Sequence, residues 1–357
     1  PLLPPHPGKE PGNWPAEDAA LAARALDGSE HRSGTRERAM TVSVIVPVHN
    51  GAPYVAEALD SALAQTSPPL EVVVMDDGSS DGTGSVLDRY GSGIVRLRSA
   101  TPAGPARARN RAMAVAQGTL LAFLDADDVW HRQKLERQLA LAAARPDFGL
   151  IATEVEFFDD RGRIACRRKR RRRALPQGWV LPQLLRNNWI TTSAALARRA
   201  AVMEAGGFDE EPCRLGEDWM LWMRMAAAHP VYCTTEVLTR RRVHGDSFGH
   251  ARPEVTFYDL LRHLERLGGE LDYLQRHPER VRRAAYALCV YRGAQDVHAL
   301  QPEAARSKLH LARQYGHGGR AALWTLLSYI PAVWLARAKR WKRVLGRRTG
   351  RVFSYSR

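Results

Sequence analysis

Three near-continuous apolar runs, each closed by polar residues, organise the first part of the chain. Val42 to Val48 ends in His49-Asn50-Gly51, Glu71 to Met75 ends in Asp76-Asp77-Gly78, and Thr119 to Leu124 ends in Asp125-Ala126-Asp127-Asp128. Short runs rich in β-branched residues and bounded by turn formers predict strands. Their lack of in-out alternation predicts burial on both faces, as in a parallel sheet covered by helices. Between the first two runs, Val55, Ala58, Leu59, Ala62 and Leu63 share one face of a helix expected over 54–65, which Pro68-Pro69 ends. A short strand at 94–97 and helices over 106–117 and 132–144 complete an α/β pattern. Parallel strands would bring the three polar ends to one rim, where open α/β sheets bind ligands.

The ends of the chain have other patterns. Residues 1–40 are rich in Pro, Gly, Ala and charge without a sustained apolar period, which predicts a disordered extension; they contain no apolar core of a secretory leader. Residues 251–320 read as a supporting helical extension. The longest apolar run, Ala321 to Ala336, is sixteen residues with a central Pro331, short for a membrane span. Flanked by Trp324, Trp334 and Trp341 and followed by basic residues, 321–357 reads as an amphipathic tail on an anionic cytoplasmic leaflet, or as a helix packed on protein.

Composition narrows the classes. A length of 357 residues at 45% hydrophobic content supports a sizeable core. The net charge is +15, yet Arg161 to Arg173 and Arg337 to Arg357 each hold nine basic residues and no acid, so the rest of the chain is slightly acidic. A basic body for nucleic acid is therefore disfavoured. The Arg167–Arg173 run is a solvated tract or a contact for anionic lipid or an anionic acceptor. Four cysteines without CxxC spacing point to reduced thiols in a cytoplasmic compartment, peripheral to the membrane through the tail.

Candidate chemistry centres on Asp125, Asp127 and Asp128. Three carboxylates within four residues repel one another, and a hard divalent cation, Mn²⁺ or Mg²⁺, satisfies them; the alternative is a solvated turn capping the next helix.

In this order and spacing, VSVIVPVHN, VVVMDDGSSDGT, GPARARN and GTLLAFLDADDVW resemble the nucleotide-sugar-binding half of glycosyltransferase family 2, inverting enzymes of the GT-A fold. A fifth block, Ala205 to Glu210 followed by Gly216-Glu217-Asp218-Trp219, resembles the acceptor-side segment. The resemblance implies a Rossmann-like, mostly parallel sheet over 41–250, with nucleotide-sugar binding in 41–130 and the acceptor side in 131–250. It further implies donor contacts from Pro47, Val48, His49, Asn50, Asp77, Gly78, Asp125 and Ala126, and support from Arg109 and Asn110 unless these form a solvated helix face. Asp127 becomes the direct metal ligand, Asp125 faces ribose or metal-bound water, and His244 completes the shell. Asp128 reads as a helix cap. Asp218 becomes the general base, with Glu217 as a helix cap or its exchange partner. Trp219 stacks on a sugar or contacts the acceptor, Trp222 packs in the core, and Ser247 binds phosphate. The implied partners are a nucleotide-sugar donor, UDP- or dTDP-linked, and a glycan or lipid-linked glycan acceptor. A sugar nucleotidyltransferase is the rival, but such enzymes carry a basic Gly-rich loop after the first strand and this chain has His49-Asn50-Gly51-Ala52-Pro53. A non-catalytic polybasic module is a third reading, opposed by the intact acids.

Overall fold

The computed structural model describes residues 40–167, 175–210, 216–244, 253–316 and 318–329. The chain divides into two compact units, Pro1–Thr256 and Phe257–Arg357. The extension at 1–39, most of the arginine tract, Ser247 and the tail beyond 329 lie outside the described residues.

The first unit is built on β1 (Val42–Val48), β2 (Glu71–Asp76), β3 (Val95–Arg98) and β4 (Leu120–Phe123), which pair in parallel in the order β3-β2-β1-β4. Helices α1 (Val55–Leu63), α2 (Thr83–Asp88) and α3 (Pro105–Val115) connect them. Because side chains alternate across a strand, Val44, Val46, Val72, Val74 and Ala122 face one side. There they pack with Val55, Leu59 and Ala62 of α1 and Leu87 of α2. The other side bears Ile45 and Phe123. Phe123 meets Phe208 edge-on at 5.3 Å and Trp222 at 5.8 Å, so Trp222 is a core residue. Both faces are covered, as the unalternating strands require.

The sheet then changes character. Beyond β4 come β8 (Leu196–Arg198), β6 (Leu150–Phe158), β9 (Val231–Arg242) and the two-residue β5 (Val129–Trp130), with β7 (Ile164–Arg167) on β6. β4–β8, β8–β6, β9–β5 and β6–β7 are antiparallel and β6–β9 is parallel, so the sheet is mixed, with its parallel pairings the more extensive. These strands were not anticipated, because their sequences interleave apolar residues with Thr, Glu and Arg. The expected helix at 132–144 is α4 (Lys134–Ala144), which follows the short β5 and begins two residues later than expected. Helices α5 (Leu181–Leu184), α6 (Arg199–Glu204) and α7 (Glu217–Ala228) complete this part.

The second unit is helical: α8 (Pro253–Glu270), α9 (Asp272–Arg276), α10 (Pro278–Ala299), α11 (Pro302–Tyr315) and α12 (Gly319–Ser328). Phe257, Leu261, Ala285, Cys289 and Ala312 form its core. The buried Lys308 ammonium pairs with Asp296 at 2.6 Å, which compensates its removal from water. Among the described residues, no helix is long and apolar enough to cross a membrane.

Candidate active site

Strand order reverses between β1 and β4, so their carboxyl ends open onto the switch point where this architecture binds ligands. The rim of β1 and β2 is made of local bonds. Asn50 adopts φ +51°, a left-handed conformation that Asn tolerates. Its Oδ1 accepts from the Ser80 amide at 2.9 Å. Its Nδ2 lies 3.1 Å from His49 Nε2, while His49 Nδ1 lies 2.7 Å from the Asp77 carbonyl. The amide nitrogen can only donate and a carbonyl can only accept, so this network places the ring proton on Nδ1. His49 is exposed, whereas Pro47 and Val48 are buried. Asp77 accepts from the amides of Ala103 at 2.9 Å and Gly104 at 2.7 Å, drawing that loop onto the end of β2. Gly78 has φ +66°, and a Cβ there would lie 2.7 Å from the backbone at Thr101 and Pro102. Only glycine allows that approach. Ala126 packs against the β1 core.

The acids beyond β4 behave differently. Arg109, on α3, is 5% exposed rather than part of a solvated face. Its Nη2 donates to Asp125 at 2.7 Å and its Nη1 to Glu217 at 2.9 Å, so one guanidinium joins the end of β4 to the start of α7. Burial alone would lower the Arg109 pKa, but the flanking carboxylates hold it above the ordinary arginine range. Asn110 binds the Phe208 carbonyl at 2.8 Å and Glu210 at 2.7 Å, fixing the 208–210 loop.

Asp128 is not the helix cap expected: α4 starts six residues later with no side-chain cap. Asp128 is 1% exposed, accepting from Ser193 Oγ at 2.6 Å and from the Arg242 amide at 2.9 Å. Burial, with Asp127 and Asp125 nearby, raises its pKa well above the usual aspartate range. Asp127 is partly exposed, and its Oδ2 lies 3.0 Å from His244 Nε2. Arg242 carries His244 to this position: its Nε donates to the Asp127 carbonyl at 3.1 Å, it pairs with Glu57, and its guanidinium stacks over Tyr54 and Phe158.

At the start of α7, Gly216 adopts φ +99° and turns the chain into the helix. Glu217 does not cap that helix; it is buried against Arg109. Asp218 accepts from Thr192 Oγ1 at 3.0 Å on one oxygen and from the Trp219 amide at 2.6 Å on the other. Burial raises the pKa of both Glu217 and Asp218, and Arg109 opposes the rise. Trp219 is 5% exposed and donates Nε1 to the Leu184 carbonyl at 2.8 Å, so its ring anchors α7 to the end of α5 instead of being presented to a sugar.

Thr192 and Ser193, in a single 3₁₀ turn, were missed from the sequence. The available signal was a pair of hydroxyls set between Ile190 and the apolar 194–197, since hydroxyls buried in such a run need hydrogen-bond partners. Among the described residues, no three His, Cys, Asp or Glu side chains form a complete metal shell.

Residues 43–201 match the model of "Glycosyl transferase family 2". An uncharacterised glycosyltransferase of Rickettsia prowazekii is 30% identical over 205 residues, covering 57% of this chain and 64% of that protein. An Escherichia coli protein named UDP-Glc:alpha-D-GlcNAc-diphosphoundecaprenol beta-1,3-glucosyltransferase is 41% identical over 101 residues, 28% of this chain and 40% of that one. The chain thus spans less than two thirds of the length of these curated relatives. The crystal structure of Staphylococcus aureus TarS 1-349 with UDP-GlcNAc aligns with TM-score 0.59 at 19% identity, over 89% of this chain and 94% of that one, a likeness of fold. Together with the parallel β3-β2-β1-β4 core and the acids at its switch point, these matches make residues 43–201 similar to glycosyltransferase family 2 and the fold like that of TarS.

Proposed function

We propose that this chain is a metal-dependent inverting glycosyltransferase. It moves a sugar from a UDP- or dTDP-linked donor to a hydroxyl of a glycan or lipid-linked glycan in cell-surface polysaccharide synthesis. The observation that carries this reading is the Arg109 bridge, which brings the base helix to the acids at the donor rim. The E. coli relative, whose name gives a UDP-linked donor and a lipid-diphosphate-linked acceptor, supports the substrate class.

In this reading His49, Asn50 and the Asp77–Gly78 turn line the nucleotide seat. Asp127 Oδ2 and His244 Nε2 lie together at 3.0 Å and offer a carboxylate oxygen and an imidazole nitrogen, donors that suit a divalent Mn²⁺ or Mg²⁺. They would hold it with Asp125 nearby, and the ion would neutralise charge on the departing diphosphate. Asp218 takes the proton of the acceptor hydroxyl while that oxygen attacks the anomeric carbon from the face opposite the diphosphate. The glycosidic bond breaks with its electron pair on phosphate, and configuration inverts. Glu217 faces Arg109, which leaves Asp218 as the base. A thermal-shift series with UDP, dTDP and their sugars tests the reading. A nucleotide at 100 times its Kd with Mn²⁺ adds about 2.7 kcal/mol of stability, and no shift with any of them refutes it.

The tail reading rests on α12. Leu323, Leu326 and Tyr329 are exposed along one side of that helix, and the sequence continues into an apolar run and nine basic residues. This pattern suits the anionic cytoplasmic face of a membrane. Full-length protein is expected to sediment with phosphatidylglycerol-containing vesicles, less so in high salt, and equal behaviour with purely zwitterionic vesicles would reject the assignment.

A further inference from the structure

Two adjacent hydroxyls reach two different parts of the site. Thr192 Oγ1 donates to Asp218, on α7. Ser193 Oγ accepts from the Asp125 amide at 3.0 Å and donates to Asp128 at 2.6 Å, both in the loop after β4. Both residues are buried, Ser193 completely, and the turn is held from behind by three further bonds. Trp130 Nε1 donates to the Ser193 carbonyl at 2.7 Å, Thr239 Oγ1 donates to the same carbonyl at 3.4 Å, and Gln138 Nε2 donates to the Ala194 carbonyl at 3.0 Å. Gln138 is itself anchored by the buried Lys134 ammonium at 2.7 Å.

A catalytic constellation works when its reacting groups are held to within about half an ångström by partners that are themselves locked. We propose that the Thr192–Ser193 turn is the positioning element of this site, with Thr192 orienting the Asp218 carboxylate toward the acceptor and Ser193 setting the loop that carries Asp125 and Asp127. The proposal rests on the glycosyltransferase reading and adds a division of labour to it. A carboxylate oxygen has two lone-pair directions. Thr192 occupies one on Asp218 Oδ2, and with the Trp219 amide on Oδ1 it stops rotation of the group, leaving the second direction on each oxygen for an incoming hydroxyl. Ser193 touches no part of α7 among its described bonds, so its effect falls on the donor side.

The experiment compares T192V, T192S and S193A in the full-length chain, with donor and acceptor kinetics and with nucleotide binding in the presence of Mn²⁺. T192V keeps the shape of the side chain and loses the hydroxyl; it is expected to lower kcat roughly 10- to 100-fold, the scale of a mispositioned catalytic group, with donor KM and UDP affinity unchanged. T192S restores the hydroxyl and recovers most of the lost rate. S193A is expected to weaken UDP affinity and raise donor KM several-fold, with the smaller change in kcat. Equal losses of kcat and donor affinity in T192V and S193A, in step with melting temperature, overturn the proposal as merely structural, and so does wild-type kcat in T192V. If the wild-type chain neither transfers sugar nor binds any nucleotide with Mn²⁺, it is the glycosyltransferase reading that fails.

Discussion

Around the ends of β1 and β2, Asn50 and Asp77 bind backbone amides no more than 31 residues away; around β4 and α7, carboxylates, a guanidinium and hydroxyls join positions 16 to 117 residues apart. The first region is a turn that satisfies itself, partly exposed at His49 and Asn50. In the second, Arg109, Asp128 and Glu217 are buried and hold their charges or protons only because each faces a specific partner. Losing the exposed side chain of His49 or Asn50 lets water replace it, whereas losing a group at the acid centre strands its neighbour in a low dielectric. Those two rim positions should therefore tolerate change, and the acid centre should not.

The largest break in that contrast is expected from D218N, which keeps the size of the side chain and removes the proton acceptor. Transfer should fall about 10³-fold, within the range of general-base contributions, while the melting temperature stays within a few degrees; a D218N enzyme of wild-type rate would return the base to Glu217 or elsewhere.

R109M should come next. Removing one partner of a buried ion pair costs about 3–5 kcal/mol, or roughly 10 °C of melting temperature for a unit of this size. R109M/E217Q should recover part of that loss, and a double variant no more stable than R109M would deny that Glu217 is the stranded charge.

The pH profile sharpens the comparison more gently. Burial raises the Asp218 pKa above the ordinary aspartate value of 3.8, and a base works only when unprotonated, so kcat should fall as pH drops through a midpoint above that value. Arg109 holds that midpoint down, so R109K, which keeps the charge but not the fork, should move the acid limb to higher pH; identical limbs would separate Arg109 from Asp218 electrostatically. The smallest effect is expected at the rim. H49A should leave the melting temperature unchanged and raise donor KM only about threefold, about 0.7 kcal/mol, and collapse of the fold in H49A would show that the rim is as interdependent as the acid centre.

Legibility in the sequence follows the same line. The strand at 42–48 and those near 71–76 and 120–123 could be read because a strand buried on both faces has a composition of its own. The helix near 106–117 was readable too, but the direction of its arginines was not: Arg109 in ARN looks the same facing water or facing Asp125. Asp128 looked like a cap because a carboxylate before a helix usually is one, and the two-residue β5 that separates it from α4 is too short to leave a pattern. Trp219 fits both a sugar platform and an anchor until Leu184 is seen to accept its indole proton.

By itself the amino-acid sequence determined the parallel half of the sheet and the polar ends of its strands, because hydrophobic periodicity and turn chemistry act over a few residues. Only the tertiary structure decided which acids share Arg109, that Asp218 is instead held by Thr192 and the Trp219 amide, and that one turn at 192–193 touches both α7 and the loop after β4. Those choices depend on partners remote in the chain, where the cost of an unpaired buried charge or hydroxyl, and not local propensity, selects the arrangement.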